Sequence, residues 1–466
     1  MTNFKKLLLT SAALVGITGV AGFASAETVT LRDAMAIAID SHPEINQAIQ
    51  NKEAIEFERE QAQGLFLPRI SVEGSAGVRR LENPSRRALG IDDDTLNPLE
   101  ASIRGEQIIF DSGNRSNELK RQAARTDGAA NRIEERSEFI ALQVARQYLD
   151  YLLQQRIVAA SADNVTFHEK LAGDLSEGVR QGSISIADQQ QAEERLQSAR
   201  ARLTEAREEL TNTAISVRTL TGLDIDEAAI LPESLRAKLP ADLTDAIEQT
   251  RIKNPKVREA QADLDAAYAM IGKAKADLGP TLSLEGQARH GDEVDGVRGK
   301  TTDLQARIVA RWLVFDGGIN RAKVQEMVRR ASEARFRLHQ VSREAEEDVR
   351  RSWNVWINQG KLVNELDQQS KVADDLLMSY REQFNVGRRS LLDVLDAQNT
   401  RYNVQVRAET ARFANQFAEY KILAAENALL QAVELNAPAS AKAEARTRFH
   451  VGPTPPAETM RRRYAD

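Results

Sequence analysis

The chain has 466 residues, of which 28% are charged, with a formal net charge of −6 and no cysteine. That length allows a large core or several domains, and the mildly acidic balance argues against nucleic acid as a partner. The missing thiols exclude disulfides, thiol catalysis, Cys-based zinc sites and lipid attachment to an N-terminal Cys.

Residues 1–26 read as a secretory signal peptide. Lys5 and Lys6 form the basic start, Leu7 to Val20 an apolar run, and Ala24-Ser25-Ala26 a small-residue cleavage site, so the mature chain is expected to begin at Glu27. Beyond it no apolar run approaches the ~20 residues of a membrane helix. A mature protein that enters a membrane would do so as a β-barrel, because only helices and closed barrels satisfy the backbone in lipid.

An internal duplication organises the rest of the chain. Leu31-Arg32-Asp33-Ala34 before His42-Pro43-Glu44-Ile45 returns as Leu243-Thr244-Asp245-Ala246 before Asn254-Pro255-Lys256-Val257. Helical patterns over Glu44–Phe66 and Lys256–Leu278 stop at Pro68 and Pro280. Period-2 alternation then begins: Ile70, Val72, Gly74, Ala76 and Val78 in one copy, Leu282, Leu284, Gly286 and Ala288 in the other. Strands are predicted at about 68–78 and 101–110 in the first unit, and at about 281–289 and 304–315 in the second. One apolar and one polar face over about ten residues is the pattern of a membrane strand; a strand half-buried in a soluble sheet shows the same alternation. The connections Arg79–Glu100 and His290–Thr302 are polar, turn-rich and read as surface loops. Gly296-Val297-Arg298-Gly299-Lys300-Thr301 imitates the end of a phosphate loop, but Val294 replaces the glycine that motif needs.

Asp111 and Asp316 are predicted to cap the long helices of the two units. Those helices run over about Asn114–Arg180 and Ile319–Asn385, each roughly 100 Å long at ~1.5 Å per residue. Each ends in a matching tip. In Gln181-Gly182-Ser183-Ile184-Ser185-Ile186-Ala187-Asp188 and Val386-Gly387-Arg388-Arg389-Ser390-Leu391-Leu392-Asp393, the Gly breaks one helix and Ser-x-x-Asp opens the next with a capping box. Return helices cover about Ile186–Leu220 and Leu391–Leu430. In the first, Ala192, Leu196, Ala199, Leu203, Ala206 and Leu210 form a heptad seam of alternating small and large residues. A return helix and the helix before the first strand, laid end to end, nearly match the long helix, so each unit predicts a two-column pillar under two strands.

The sequence thus divides into a signal peptide (1–26), a first repeat (27–222), a linker (223–242), a second repeat (243–432) and a tail (433–466) expected to be flexible. The fold class is α+β: long coiled-coil hairpins plus four membrane β-strands per chain. Four strands cannot close a barrel, so a trimer with a 12-stranded β-barrel is predicted.

The duplicated unit, the Phe-Asp-x-Gly junctions at Phe110-Asp111-Ser112-Gly113 and Phe315-Asp316-Gly317-Gly318, and Val386-Gly387-x-Arg389 before Asp393-Val394-Leu395-Asp396 together resemble the TolC family of outer-membrane channel proteins. The run Phe384 to Asp393 looks most like the branch serving type I protein secretion; a drug-efflux outlet of the same family is the alternative, and a periplasmic coiled-coil scaffold the reading from another class. The resemblance implies a homotrimer in outer-membrane lipid continuing as a periplasmic α-barrel. It implies docking by the tips (Gly182, Ser185, Gly387, Ser390) to a periplasmic adaptor, and an inner-membrane transporter of the ABC type. It implies that Asp393 and Asp396 ring the closed entrance and that Arg389 and Asp188 tether the inner hairpin to the outer. A tyrosine of better-known members matches Phe384, which lacks the hydroxyl.

Asp393 and Asp188 also have a bland explanation as the fourth residues of capping boxes, and Arg389 as a solvated charge. Asp396 lies beyond the cap, where the first unit has Gln191. Three copies near one axis would raise one another's pKa and favour bound cations. No enzyme, cofactor or metal site is predicted: the five His are scattered and form no His-Glu-x-x-His.

Overall fold

A computed structural model describes residues 29–225 and 229–448. The expected signal peptide lies outside the described residues. The first unit opens with α1 (Leu31–Ser41), where Thr30 and Asp33 form a reciprocal capping box. Proline at the first position starts α2 (Pro43–Gly64). Strand β1 (Arg69–Ala76) comes next, then a loop containing β2 (Arg79–Arg80), α3 (Pro84–Leu89) and β3 (Thr95–Leu96). Strand β4 (Leu99–Phe110) leads into α4 (Asn114–Arg180) and its return helix α5 (Ile186–Thr221). The second unit repeats this as α6 (Leu243–Lys253), α7 (Pro255–Ala276), β5 (Thr281–Asp292), β6 (Lys300–Arg311), α8 (Ile319–Asn385) and α9 (Leu391–Ala425). Short helices α10 (Leu429–Ala432) and α11 (Ala445–Arg448) close the described chain.

Helices α4 and α8 have 67 residues each, about 100 Å at 1.5 Å per residue. Along α4 lie α5, α1 and α2; along α8 lie α9, α6 and α7, with α7 also packed on α4. The largest apolar core is at mid-height, where Ile140, Val144, Tyr148 and Leu152 of α4 meet Met35 of α1 and Phe413, Tyr420 and Leu423 of α9. Tyr148 is fully buried there. Its hydroxyl accepts the Ile230 N–H at 3.0 Å and lies 2.9 Å from the carbonyls of Val29 and Ile230, which stitches the inter-repeat segment to this waist.

The four long strands form one antiparallel sheet in the order β1-β4-β5-β6. Its register aligns like with like. Val72, Ile103, Ala288 and Leu304 form one cross-strand row, and Ile70, Gly105, Gly286 and Ala306 the next; all belong to the apolar face. Arg69, Glu106, Glu285 and Arg307 form a row of the opposite face, where Glu285 accepts hydrogen bonds from Arg307 at 2.8 Å and Arg311 at 2.5 Å. A bulge between Ile108 and Phe110 re-aims Phe110 opposite Leu282 on the apolar face. With Phe66, Trp312 and Phe315 it leaves exposed aromatic rings at the helical end of the sheet, the place of an interfacial girdle.

Four expectations need correction. Strand β6 ends at Arg311 and not 315, because its partner β5 begins only after Pro280: Arg311 pairs with Thr281, and Trp312 turns its indole N–H to the Leu278 carbonyl instead. The connection 79–100 is not an open loop. It folds around Arg86, 2% exposed, whose guanidinium donates to the carbonyls of Ile91, Asp94 and Gly296 and so joins the two extramembrane loops. Asp111 and Asp316 do not occupy the N-cap position; Gly113 and Gly318 do. Each aspartate, two residues earlier, still accepts first-turn amides: Asp111 from Gly113 and Arg115, Asp316 from Gly318 and Asn320. Finally, the described part of the tail, 433–448, is packed onto the helices, and 449–466 lie outside the described residues. Ala441 and Ala445 are buried, and Arg446 pairs with Asp127 of α4 and Asp265 of α7.

Candidate gate at the helical tips

Both tips end a 67-residue helix on a left-handed glycine, Gly182 at φ +71° and Gly387 at φ +74°. The turn reuses the freed carbonyls: Ser183 N–H donates to Gly178 O and Arg388 N–H to Gln383 O. Ser390 then caps α9 with the full reciprocal box, accepting Asp393 N–H at 3.2 Å while the Asp393 carboxylate accepts Ser390 N–H at 3.3 Å. At the first tip only the forward half forms: Ser185 accepts Asp188 N–H at 3.1 Å and donates its hydroxyl to the Asp188 carboxylate.

Asp393 is therefore a working cap, and its pKa lies below the ordinary carboxylate value, held there first by the Ser390 hydroxyl and then by the Ser390 amide and Arg389. Asp396, one turn further, is exposed. Among the described residues it makes no ion pair. Arg389 stacks on the Tyr380 ring at 4.1 Å, donates to Gln383 and faces Asp393 at 3.9 Å. Within one chain, then, Arg389 and Asp188 are not brought together; both bind on their own hairpins. The guanidinium is engaged, which is more than a solvated charge.

Contacts between the hairpins come from elsewhere. Phe384 packs in two apolar clusters, with Leu175 and Ala192 of the outer hairpin and Leu391 and Leu395 of the inner, and with Phe167 and Val394. The half-buried Phe384 ring packs between the hairpins at the position where the resemblance puts a tyrosine, and it offers no hydroxyl there. One to three turns above, α4 and α9 share a buried polar seam: Gln398 donates to Asn164 at 2.8 Å, and Ser161 and Tyr402 hydroxyls meet at 2.9 Å. Arg202 of α5 closes this seam, donating to Asn399 at 3.1 Å with its guanidinium 5.6 Å from the Tyr402 ring centre. Tyr402 lies on the apolar stripe of α9, yet its hydroxyl has a buried polar partner on α4. The available signal was the 3-4 spacing of Ser161, Asn164 and His168, polar residues on the face that otherwise carries Leu171 and Leu175.

Residues 35–223 and 246–445 match the outer membrane efflux protein family. The chain belongs to that family. Its membership places the protein in the outer membrane, with the helices extending into the periplasm, as a passive exit duct of an export system. Among curated relatives, the outer membrane protein TolC of Escherichia coli is 24% identical over 93% of this chain and 91% of its own length. The alkaline protease secretion protein AprF of Pseudomonas aeruginosa is 22% identical over 82% and 81%. Among solved structures, the CmeC outer membrane channel of Campylobacter jejuni superposes with a TM-score of 0.74 at 15% identity, covering 86% of each chain. The two matched ranges fall on the two repeats, each with its pair of strands and its helical hairpin.

Proposed function

We propose that three copies of this outer membrane efflux protein close one twelve-stranded barrel, and that the duct passes secreted proteins delivered by an inner-membrane ABC transporter and a periplasmic adaptor. The sheet carries this reading. One face is largely apolar, the other carries a row of charges, and the outer edges of β1 and β6 find no partner among the described residues. Hydrocarbon does not tolerate unpaired strand edges, so neighbouring copies must supply the missing partners. Similarity to AprF, a protease secretion protein by name, supports protein cargo.

At the tips, Gly182, Ser185, Gly387 and Ser390 form the surface offered to the adaptor. Asp396 forms the cation-binding ring at the closed entrance, with Asp393 in support because its carboxylate is partly committed to Ser390 and Arg389. The Arg389–Asp188 tether, absent within a chain, belongs between neighbouring copies. Purified trimer in a planar bilayer tests the reading. Asp393→Ala with Asp396→Ala raises single-channel conductance and abolishes block by multivalent cations; block that persists unchanged refutes the ring. Deleting the gene and comparing the secretome with drug sensitivity separates protein export from small-molecule efflux.

A further inference from the structure

A cavity of about 280 Å³ lies beside the mid-height core, where α4 of the first repeat meets α7, α8 and α9 of the second. It has room for roughly nine waters at ~30 Å³ each. Phe139 and Leu142 of α4 with Val341 and Ala345 of α8 give it apolar walls. Its charged lining is mostly acidic. Glu135 and Glu138 of α4 are buried, at 6% and 5% exposure, while Glu344 and Asp348 of α8 form its exposed rim with Lys256 and Lys421.

The two buried carboxylates differ in their partners. Glu135 pairs with Arg136 and faces Lys256 at 3.7 Å. Glu138 makes no ion pair among the described residues. Its Oε1 accepts the Leu430 N–H at 3.3 Å, but its Oε2 is buried with no hydrogen-bond partner. Protonation alone does not satisfy Oε2, because a carboxyl O–H needs an acceptor in turn, and a buried polar atom left unpaired is costly. The missing partner is a donor, and a charged donor makes the stronger bond to a carboxylate. A metal ion suits the cavity poorly: among the described residues no group of three His, Asp or Glu is placed to hold one. The apolar walls suit a short hydrocarbon body.

We propose that this cavity binds a small primary ammonium, its charged head on Glu138 and its alkyl or benzyl body along Phe139, Leu142 and Val341. The site goes beyond the channel reading and is independent of the cargo. Burial pushes the Glu138 carboxyl up to about 8, with the Leu430 amide opposing and Glu134 adding to the rise. Without a cation beside it, Glu138 therefore holds a proton at neutral pH. A bound ammonium replaces that proton: the head donates to the carboxylate, and the carboxyl proton leaves to solvent. Affinity falls about tenfold per pH unit below 8 and levels above it. Of the other charges nearby, Glu134 and Glu135 on α4 and Glu344 and Asp348 on α8 favour the cation. Lys256 on α7 and Lys421 on α9 oppose it.

Calorimetric titration of the full-length trimer with n-butylammonium chloride, against sodium chloride, tests this. Saturable binding of one ammonium per chain is expected, with close to one proton released per cation at pH 7, read by repeating the titration in buffers of different ionisation heat. Glu138→Gln keeps the shape and removes the charge; it weakens binding at least about tenfold and ends the proton release. Ala345→Leu fills the cavity, leaves Glu138 in place and blocks binding. Should Glu138→Gln assemble poorly, Ala345→Leu decides alone. The site is overturned by a parent trimer without saturable binding, by either variant binding as the parent does, or by n-butanol binding as tightly as the ammonium. None of these readouts involves conductance. A failed site leaves the channel reading untouched, and a non-conducting trimer that binds the ammonium leaves the site standing.

Discussion

Replacing Arg446 with Ala tests whether the segment after α10 is structural. The Arg446 guanidinium reaches Asp127 at 2.8 Å and also bonds Asp265; the two aspartate side chains are 3% and 6% exposed. Asp127 keeps the backbone amides of Ala445 and Arg446, at 2.7 and 3.1 Å, after the substitution. Asp265 keeps no partner among the described residues. Burial already raises its pKa above the ordinary value against the pull of Arg446, and losing the arginine moves it further in the same direction. Breaking a buried pair typically costs ~3–5 kcal/mol. Arg446 is itself 22% exposed, so solvent screening discounts that figure, and a loss of about 2–3 kcal/mol is expected. Denaturant unfolding of the detergent-solubilised trimer, followed by circular dichroism, measures it. The triple variant Arg446→Ala/Asp127→Asn/Asp265→Asn should recover most of the loss, since no buried charge is left behind. A single variant within about 0.5 kcal/mol of the parent, the range of an ordinary surface substitution, refutes the reasoning, and so does a triple variant no better than the single.

Three further outcomes rest on the geometry. Burial pushes Glu138 and Glu426 each up to about 8, above their unfolded value, so their folded form holds protons that the unfolded chain releases; stability is full below about pH 4.5, falls as pH rises toward 8 and levels beyond, and Glu138→Gln should flatten that profile in pH-dependent melts. At Gly387 a Cβ would meet nothing within 4 Å, so Gly387→Ala costs only the left-handed backbone, roughly 1 kcal/mol, read as faster proteolytic nicking at the tip; nicking at the parent rate would contradict it. Glu285→Gln takes the negative charge from between Arg307 and Arg311 on the charged face of the sheet, so the reversal potential in a salt gradient should move toward anions, and an unmoved potential would place that face away from the pore.

Much of this architecture is written in local chemistry. The strands were legible because Val72, Ile103, Leu284 and Leu304 each obey a period of two, and the tips because Gly387 and Ser390 act on neighbours three to five residues away. What escaped is governed by distant partners. Arg446 is anchored by residues 319 and 181 positions earlier, and nothing in its surroundings marks it. Arg86 satisfies itself on carbonyls, which carry no side-chain signature, one of them 210 positions away. Within one chain Arg389 does not reach Asp188, because it has three nearby takers in Tyr380, Gln383 and Asp393.

The fastening at Arg446 also orders events in time. Its two partners come from opposite halves of the duplicated chain, and it comes after both of them in synthesis. The halves already meet where α7 and α9 pack on α4, and this last fastening can be added to that interface only once nearly all of the polypeptide has been made.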